Sequence, residues 1–251
     1  MRLFKVFLTI MMLVMSFSYS SAKNDVEELK VVHMTYPNGD RYDGQIYKGK
    51  FNGYGKYVWA SGNTYEGEWS DGKKNGNGKF TWINGAIYDG GWVMDIREGE
   101  ATFTYANGNS FSGEWKDDYT PKFGTFTWRD GDIYTGELGG GLPNGDGIVK
   151  YAEGGTCAGH WIDGIKEGYA IIDMTNGDHI EGNFIHGYLS GEGVYVWAVS
   201  GNKYEGNFSE GKINGFGTYT YSNGDTFVGM FENGIKTSGI FASDDKQYSY
   251  K

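Results

Sequence analysis

An elongated, single-layer antiparallel β-sheet of tandem 23-residue β-hairpins is the fold the sequence predicts, and three observations predict it. An aromatic residue recurs every 23 positions as Tyr42, Tyr65, Tyr88, Phe111 and Tyr134. Cys157 and Ile180 hold the same slot, and Tyr204 and Phe227 follow after a one-residue insertion. A glycine stands two positions beyond each of these nine openers, from Gly44 to Gly229, so the chain is a repeat array. Within a unit the hydrophobic period is 2: aromatic and glycine alternate with charge in Tyr65-Glu66-Gly67-Glu68-Trp69 and again in Gly78-Lys79-Phe80-Thr81-Trp82, the pattern of half-buried strands. Composition agrees. Glycine supplies 43 of 251 residues and proline only three, without a Gly-X-Y period, which excludes collagen. Aromatic residues, at 17 %, are too many for a disordered glycine-rich linker.

The N-terminus follows a different pattern. Arg2 and Lys5 precede an apolar run from Val6, and Ser20-Ser21-Ala22 offers small residues for cleavage, the layout of a secretory signal peptide over residues 1–22. The uncharged stretch of residues 6–22 is at the short limit for a membrane span if it is retained as an anchor. After cleavage no transmembrane span is expected, and the protein is expected to be exported: secreted, periplasmic or held in the cell envelope. Loss of Arg2 and Lys5 from the 22 basic residues leaves 20 against 32 acidic ones, a net charge of −12. So acidic a surface repels nucleic-acid phosphates, and nucleic acid is not an expected partner. Cys157 is the single cysteine, so no internal disulfide can form.

Residues 23–33 read as a charged lead-in. The array is expected over residues 34–241. It opens with half a unit, in which Met34, Tyr36 and Asn38-Gly39 match Phe80, Trp82 and Asn84-Gly85. Eight full units follow and a ninth decays, with Ser238 and Ile240 in glycine slots; residues 242–251 read as a polar tail. Atypical terminal units are usual in arrays, where they cover the ends of the stack. Within each unit, residues 70–76 supply a hairpin loop, and Asn84-Gly85 is a two-residue turn signal echoed at Asn107-Gly108, Asn176-Gly177 and Asn223-Gly224. No stretch after the signal has helical periodicity. Alternation puts Tyr65, Trp69, Phe80 and Trp82 on one face with Gly67 and Gly78, and leaves Glu66, Glu68, Lys79 and Thr81 on a polar opposite face.

The pattern Y-x-G-x-W followed by G-x-G-x-F-x-W-x-x-G, at a 23-residue period, resembles the MORN repeat (membrane occupation and recognition nexus) over nearly the whole mature chain. The resemblance implies an extended single-layer β array acting as a scaffold or dimer. No lipid-kinase or methyltransferase domain of the kind attached in some relatives fits here. Units depart from the pattern locally. Asp95 and Asp118 replace the turn glycine matched by Gly72, and Ala101 and Lys122 replace later glycines. The sixth unit carries Cys157, Ile172 and Met174 in aromatic slots; the seventh carries Ile180 and an insertion around Ala198-Val199-Ser200. These mark either a binding boundary or drift among apolar residues, which repeats tolerate.

Catalysis is not expected. His33, His160, His179 and His186 show no metal-ligand spacing, although His160 is expected on the polar face beside Glu137. Cys157 fills an aromatic slot and reads as a packed thiol. Gly76-Asn77-Gly78 opens no helix and is not a phosphate loop. The recurring carboxylates Glu66, Glu68, Glu114, Glu137, Glu181 and Glu205 read as a solvated face that discourages sheet stacking. No cofactor is expected. A single sheet has no second layer to cover its aromatic face, and an apolar patch of that length marks a contact surface. The expected interaction face is Tyr65, Trp69, Phe80, Trp82, Trp92, Trp115, Trp128 and Tyr134. Its expected occupant is a protein partner or a second copy of the chain. The alternative is an envelope glycan or lipid. In the third possibility, that large rings cover one another, the face needs no occupant.

Overall fold

The computed structural model describes residues 28–243 and 246–250; the signal-peptide expectation for residues 1–22 lies outside them. Among the described residues every regular element is a strand. The half unit is β1 (Lys30–Thr35), which begins inside the stretch read as a lead-in. The first three hairpins are β2 (Arg41–Tyr47) with β3 (Lys50–Val58), β4 (Thr64–Ser70) with β5 (Lys73–Thr81), and β6 (Ile87–Val93) with β7 (Ile96–Thr104). Next come β8 (Ser110–Trp115) with β9 (Phe123–Thr127), β10 (Ile133–Gly139) with β11 (Leu142–Lys150), and β12 (Gly155–Ile162) with β13 (Ile165–Met174). The last are β14 (His179–Ile185) with β15 (Tyr188–Val196), β16 (Lys203–Ser209) with β17 (Lys212–Thr220), and β18 (Thr226–Glu232) with β19 (Ile235–Ser243). Each strand pairs antiparallel with its sequence neighbours, giving one open 20-stranded meander with β1 and β20 (Lys246–Tyr250) at its two edges. At about 4.8 Å per strand the ladder runs roughly 90 Å.

Both connections differ from the sequence reading. The first turn is two residues long, not seven: Asp71 (φ 52°) and Gly72 (φ 85°) form a left-handed pair, and Lys73 already belongs to β5. Two consecutive positive φ values define the type I′ turn, whose twist matches that of the strands. The Asn84-Gly85 segment is instead a three-residue loop. Gly85 N–H donates to Trp82 C=O at 2.9 Å, Trp82 N–H donates to Ala86 C=O at 2.9 Å, and only Gly85 is left-handed. In the third and fourth units Asp95 (φ 78°) and Asp118 (φ 66°) take the left-handed glycine slot. Their carboxylates accept the N–H groups of Lys74 and Arg97 in the preceding unit, both at 3.0 Å, which offsets the strain.

The ninth unit, read as decaying, and part of the polar tail are both paired. Gly239, not Ile240, stands opposite Gly229, because the ninth unit is one residue shorter; its hairpin is complete. Residues 246–250, read as polar tail, form β20 against β19, with Gly239 opposite Tyr250 and Ser243 opposite Lys246. The fourth unit is the weakest in register. β8 and β9 share only three paired positions, and Pro121, which has no N–H to give a ladder, lies between them.

Every hairpin but β8–β9 carries a register jump, with the extra residues bulged on its second strand, and the jump explains the tyrosine opener. Register jumps from Gly67↔Gly78 to Trp69↔Lys74, which takes the Glu68 carbonyl out of the ladder. Tyr65 Oη donates to that carbonyl at 2.9 Å; Tyr42, Tyr88, Tyr134 and Tyr204 do the same to Gln45, Gly91, Glu137 and Asn207 at 2.7–3.1 Å. To reach it the ring lies flat over the paired glycines, so that a Cβ on Gly78 would overlap Tyr65. Glycine recurs here because the ring occupies the side-chain space.

Candidate interaction faces

The inner face is largely its own core. Of the eight residues expected to meet a partner, Tyr65 and Tyr134 expose 0 % of their surface, Trp115 1 %, Trp92 5 % and Trp69 6 %. Phe80, Trp82 and Trp128 are half-buried. The rings cover one another edge to face: Tyr65 meets Trp69 at 4.9 Å and Trp92 at 5.6 Å between centroids. Phe80 meets Trp82 at 4.6 Å, Trp82 meets Phe103 at 5.5 Å, and Trp128 meets Trp161 at 6.1 Å. Trp indoles also tie units together, since Trp69 and Trp92 Nε1–H donate to the carbonyls of Gly55 and Gly78 at 3.1 and 2.9 Å. Trp115 and Trp161 bury the same nitrogen without a partner. The surface left on this face is a row along the loops between hairpins, including Trp59, Trp82, Tyr105, Trp128 and Trp197, each partly exposed and packed on the core.

Cations complete the cover, and the sequence reading missed them. Lys74 Nζ lies 3.9 Å from the Trp92 ring centroid and Arg97 Cζ 4.4 Å from that of Trp115; Lys166 and Lys236 sit likewise over Phe184 and Tyr219 at 4.9 and 4.2 Å. Arg97 Nε also bonds Asp118 Oδ1 at 2.9 Å. Burial pushes the Lys74 ammonium pKa down, against the upward pull of Asp95. Asp118 is held below the usual carboxylate value although burial raises it, because the hydrogen bonds and charge of Arg97 outweigh burial. The available signal was a Lys or Arg nine residues after the opener in four units, at Lys74, Arg97, Lys166 and Lys236.

Catalytic candidates stay apart. Cys157 exposes 0 % of its surface; burial raises its pKa, with Lys166 pulling the other way. A groove of about 680 Å³ opens beside Tyr151, Lys166, Ile172 and Met174, where aliphatic side chains replace rings. Among the described residues no group of three or more His, Cys, Asp or Glu side chains could hold a metal ion. The histidines face single carboxylates: His160 meets Asp146 across β11 and β12 at 2.8 Å, not Glu137, which belongs to β10. His33 pairs with Asp43, His179 with Asp173 at 2.7 Å, and His186 lies in a two-residue turn, 3.8 Å from Glu167. Among the described residues no helix is long and apolar enough to cross a membrane.

The outer face is polar only in part. Its N-terminal half carries the ion pairs Lys56–Glu66 and Lys79–Asp89 at 3.0 and 3.1 Å. In the C-terminal half Ile148, Ile171, Val228 and Ile240, all exposed, take several of the equivalent outward positions, beside Glu181 and Glu205. The polar face read from the second unit therefore does not extend unbroken along the array.

The MORN repeat family matches residues 42–64, 65–87, 88–110, 123–133, 157–179, 181–201 and 204–226. The chain belongs to the MORN-repeat family. MORN repeats are in general non-catalytic, and they suggest an interaction or scaffold role. The two longest internal stretches outside the match, residues 111–122 and 134–156, coincide with the short β8–β9 pairing and with the fifth unit, where Leu138 and Pro143 interrupt the pattern. No curated protein matches the chain. Among solved structures it is similar to the SAS-4 TCP domain of Drosophila melanogaster, in complex with a proline-rich motif of Ana2. That likeness has 13 % identity, covers 88 % of this chain and 89 % of that one, and has a TM-score of 0.21. Virginiamycin B lyase from Staphylococcus aureus is also similar, at 13 % identity over 89 % and 88 % of the two chains with a TM-score of 0.17. At these TM-scores neither likeness bears on function.

Proposed function

We propose that this MORN-repeat protein is an exported, non-catalytic scaffold that binds a protein partner along the half-exposed ring row of its inner face. The observation that supports the reading is the row itself. Trp59, Trp82, Tyr105 and Trp128 recur on successive units and stay partly exposed, while the rings behind them are sealed. Aromatic anchors repeated on a rigid sheet bind with little loss of side-chain entropy. Export rests on the residue pattern of positions 1–22.

The test is affinity capture by the tagged mature protein from its native cell envelope, compared with a variant carrying Trp82→Ala and Trp128→Ala. Both rings are half-exposed, so the variant is expected to fold, which circular dichroism checks. A protein captured by the native chain and lost with the variant supports the proposal. Envelope glycan or lipid lost with the variant, with no protein, replaces the partner with the glycan or lipid alternative. Capture unchanged by the variant removes this face from the account. Recovery of the untagged chain alone makes the partner a second copy.

A further inference from the structure

The outer face of the C-terminal half carries a row that the repeat does not require. Across β9 to β17, Phe123, Asp146, Tyr169, Glu192 and Phe216 occupy the same place in successive units, each one residue before the second recurring glycine or its alanine substitute; in the N-terminal half only Tyr54 sets a ring at this place, with Asn77 and Glu100 after it. The three aromatic residues expose 63 %, 52 % and 56 % of their surface, so none supports the core. They stand four strands apart, about 19 Å, with a carboxylate midway between each pair. Beside them run Ile148, Ile171 and Val228, also exposed. Two shallow grooves meet at Tyr169. One is floored by Gly136, Gly147 and Gly159 and bounded by Phe123; the other is floored by Gly182, Gly193 and Gly206 and bounded by Phe216.

Charge selects the occupant. Glu181 and Glu192 line the second groove and no lysine or arginine does; Glu205, also there, is met from outside by Lys203 at 2.8 Å. The first groove has Asp146 with His160 and likewise no lysine or arginine. Two copies meeting through this face would set Glu181 and Glu192 against themselves, and an anionic membrane would be repelled by the same side chains. Apolar surface of this extent on a protein otherwise so acidic marks a contact. We infer that the outer face from β9 to β19 is a second docking surface, for a basic amphipathic polypeptide segment of a partner protein. Its Lys or Arg side chains would meet Asp146, Glu181 and Glu192, and its apolar side chains would meet Tyr169 and Phe216.

The probe is a fluorescein-labelled 20-residue peptide of lysine and leucine in equal number. Its anisotropy is measured with the full mature chain, against Lys/Ser and Glu/Leu peptides of the same length. Tighter binding of the Lys/Leu peptide than of either control is expected. Its Kd should rise at least tenfold in the Tyr169→Ala/Phe216→Ala variant and in the Glu181→Gln/Glu192→Gln variant. It should stay within twofold of the native value in the Trp82→Ala/Trp128→Ala variant, which separates this surface from the inner row. All the substituted side chains except the two tryptophans face outward, and thermal melts verify that the variants fold. Equal binding of the Lys/Ser peptide would reduce the surface to bare charge, and equal binding of the Glu/Leu peptide to bare apolar area; either overturns the inference. So would affinity indifferent to Tyr169 and Phe216, or a dimer of the chain alone that Tyr169→Ala dissolves.

Discussion

In the first two hairpins the inner face holds Tyr42, Tyr65 and Trp69, and the outer face holds Lys56–Glu66 and Lys79–Asp89 ion pairs beside a single exposed ring, Tyr54. In the hairpins β12–β13 and β14–β15 the inner face holds Cys157, Ile172 and Ile180, and the outer face exposes Tyr169 and Ile171. The backbone hardly differs between them. Both regions have the two-residue left-handed turn, the same glycine two residues after the opener, and the same register jump after it. Turn conformation and ladder hydrogen bonding fix the sheet. Either face can then change its chemistry, provided the inner one stays apolar and sealed.

Glycine substitution should separate the two regions most. Gly78→Val places a branched side chain where the Tyr65 ring lies and should cost about 3 kcal/mol. Gly193→Val, in the unit opened by Ile180, meets the Glu181 carbonyl at 2.9 Å and a Leu189 methyl at 3.3 Å and should cost about 1–2 kcal/mol. Urea unfolding measures both, and equal costs would mean that the ring does not account for the glycine. Valine is the informative residue because Ala101 already stands at the place of Gly78, beside Tyr88.

Alkali should break the comparison from the other side. Burial pushes the hydroxyls of Tyr42, Tyr88 and Tyr134 up to about 12, and that of Tyr65 further. An unfolded tyrosine ionises near 10.0, so above that pH the unfolded state loses protons that the folded state keeps. The stability from these groups is complete below pH 10 and is lost as pH rises towards 12. Hydrogen exchange followed from pH 9 to 12 should therefore accelerate first in β2 to β7 and later in β14 and β15, which have Ile180 as opener. Simultaneous loss would show that the array unfolds as one unit.

Arg97→Ala removes a cation over Trp115 and two hydrogen bonds to Asp118, and should cost about 1–2 kcal/mol. Arg97→Lys should recover only part, since lysine lacks the planar fork. Acid should act more weakly. Asp178 is held below its ordinary 3.8 by the Ala198 N–H first and the Tyr195 hydroxyl second. Its contribution is present above that value and is lost as pH falls through the lower folded one. Asn63, Asn109 and Asn202 make the same bond to the following unit. Asp178→Asn should therefore leave the melting temperature at pH 7 nearly unchanged and flatten its fall below pH 4. On the outer face the effects should be smallest. Lys79→Ala removes an exposed ion pair and Phe216→Ser an exposed ring, each shifting stability by about 0.5 kcal/mol or less. Only Phe216→Ser should reduce binding of a hydrophobic dye.

The sequence by itself determined the unit, its strands and its inward side. Period 23, period-2 alternation and a fixed glycine are local features that any one hairpin displays, and Tyr65, Trp69, Phe80 and Trp82 fell on one face for that reason. The tertiary structure decided how deep each ring lies. Trp69 is sealed by a bond to Gly55, fourteen residues away in the preceding unit, and Lys74 closes over Trp92 of the next one. Such contacts between units follow from register and bulge, which alternation does not encode. The turns changed places for a related reason: left-handed Asp71-Gly72 needs only two residues once the bulge has taken up the register, so the Asn-Gly signal was left to end a three-residue loop. The outer face escaped a reading based on one unit because solvent-facing positions need not repeat. Only with β9 to β19 assembled do Phe123, Tyr169 and Phe216 stand in a single row.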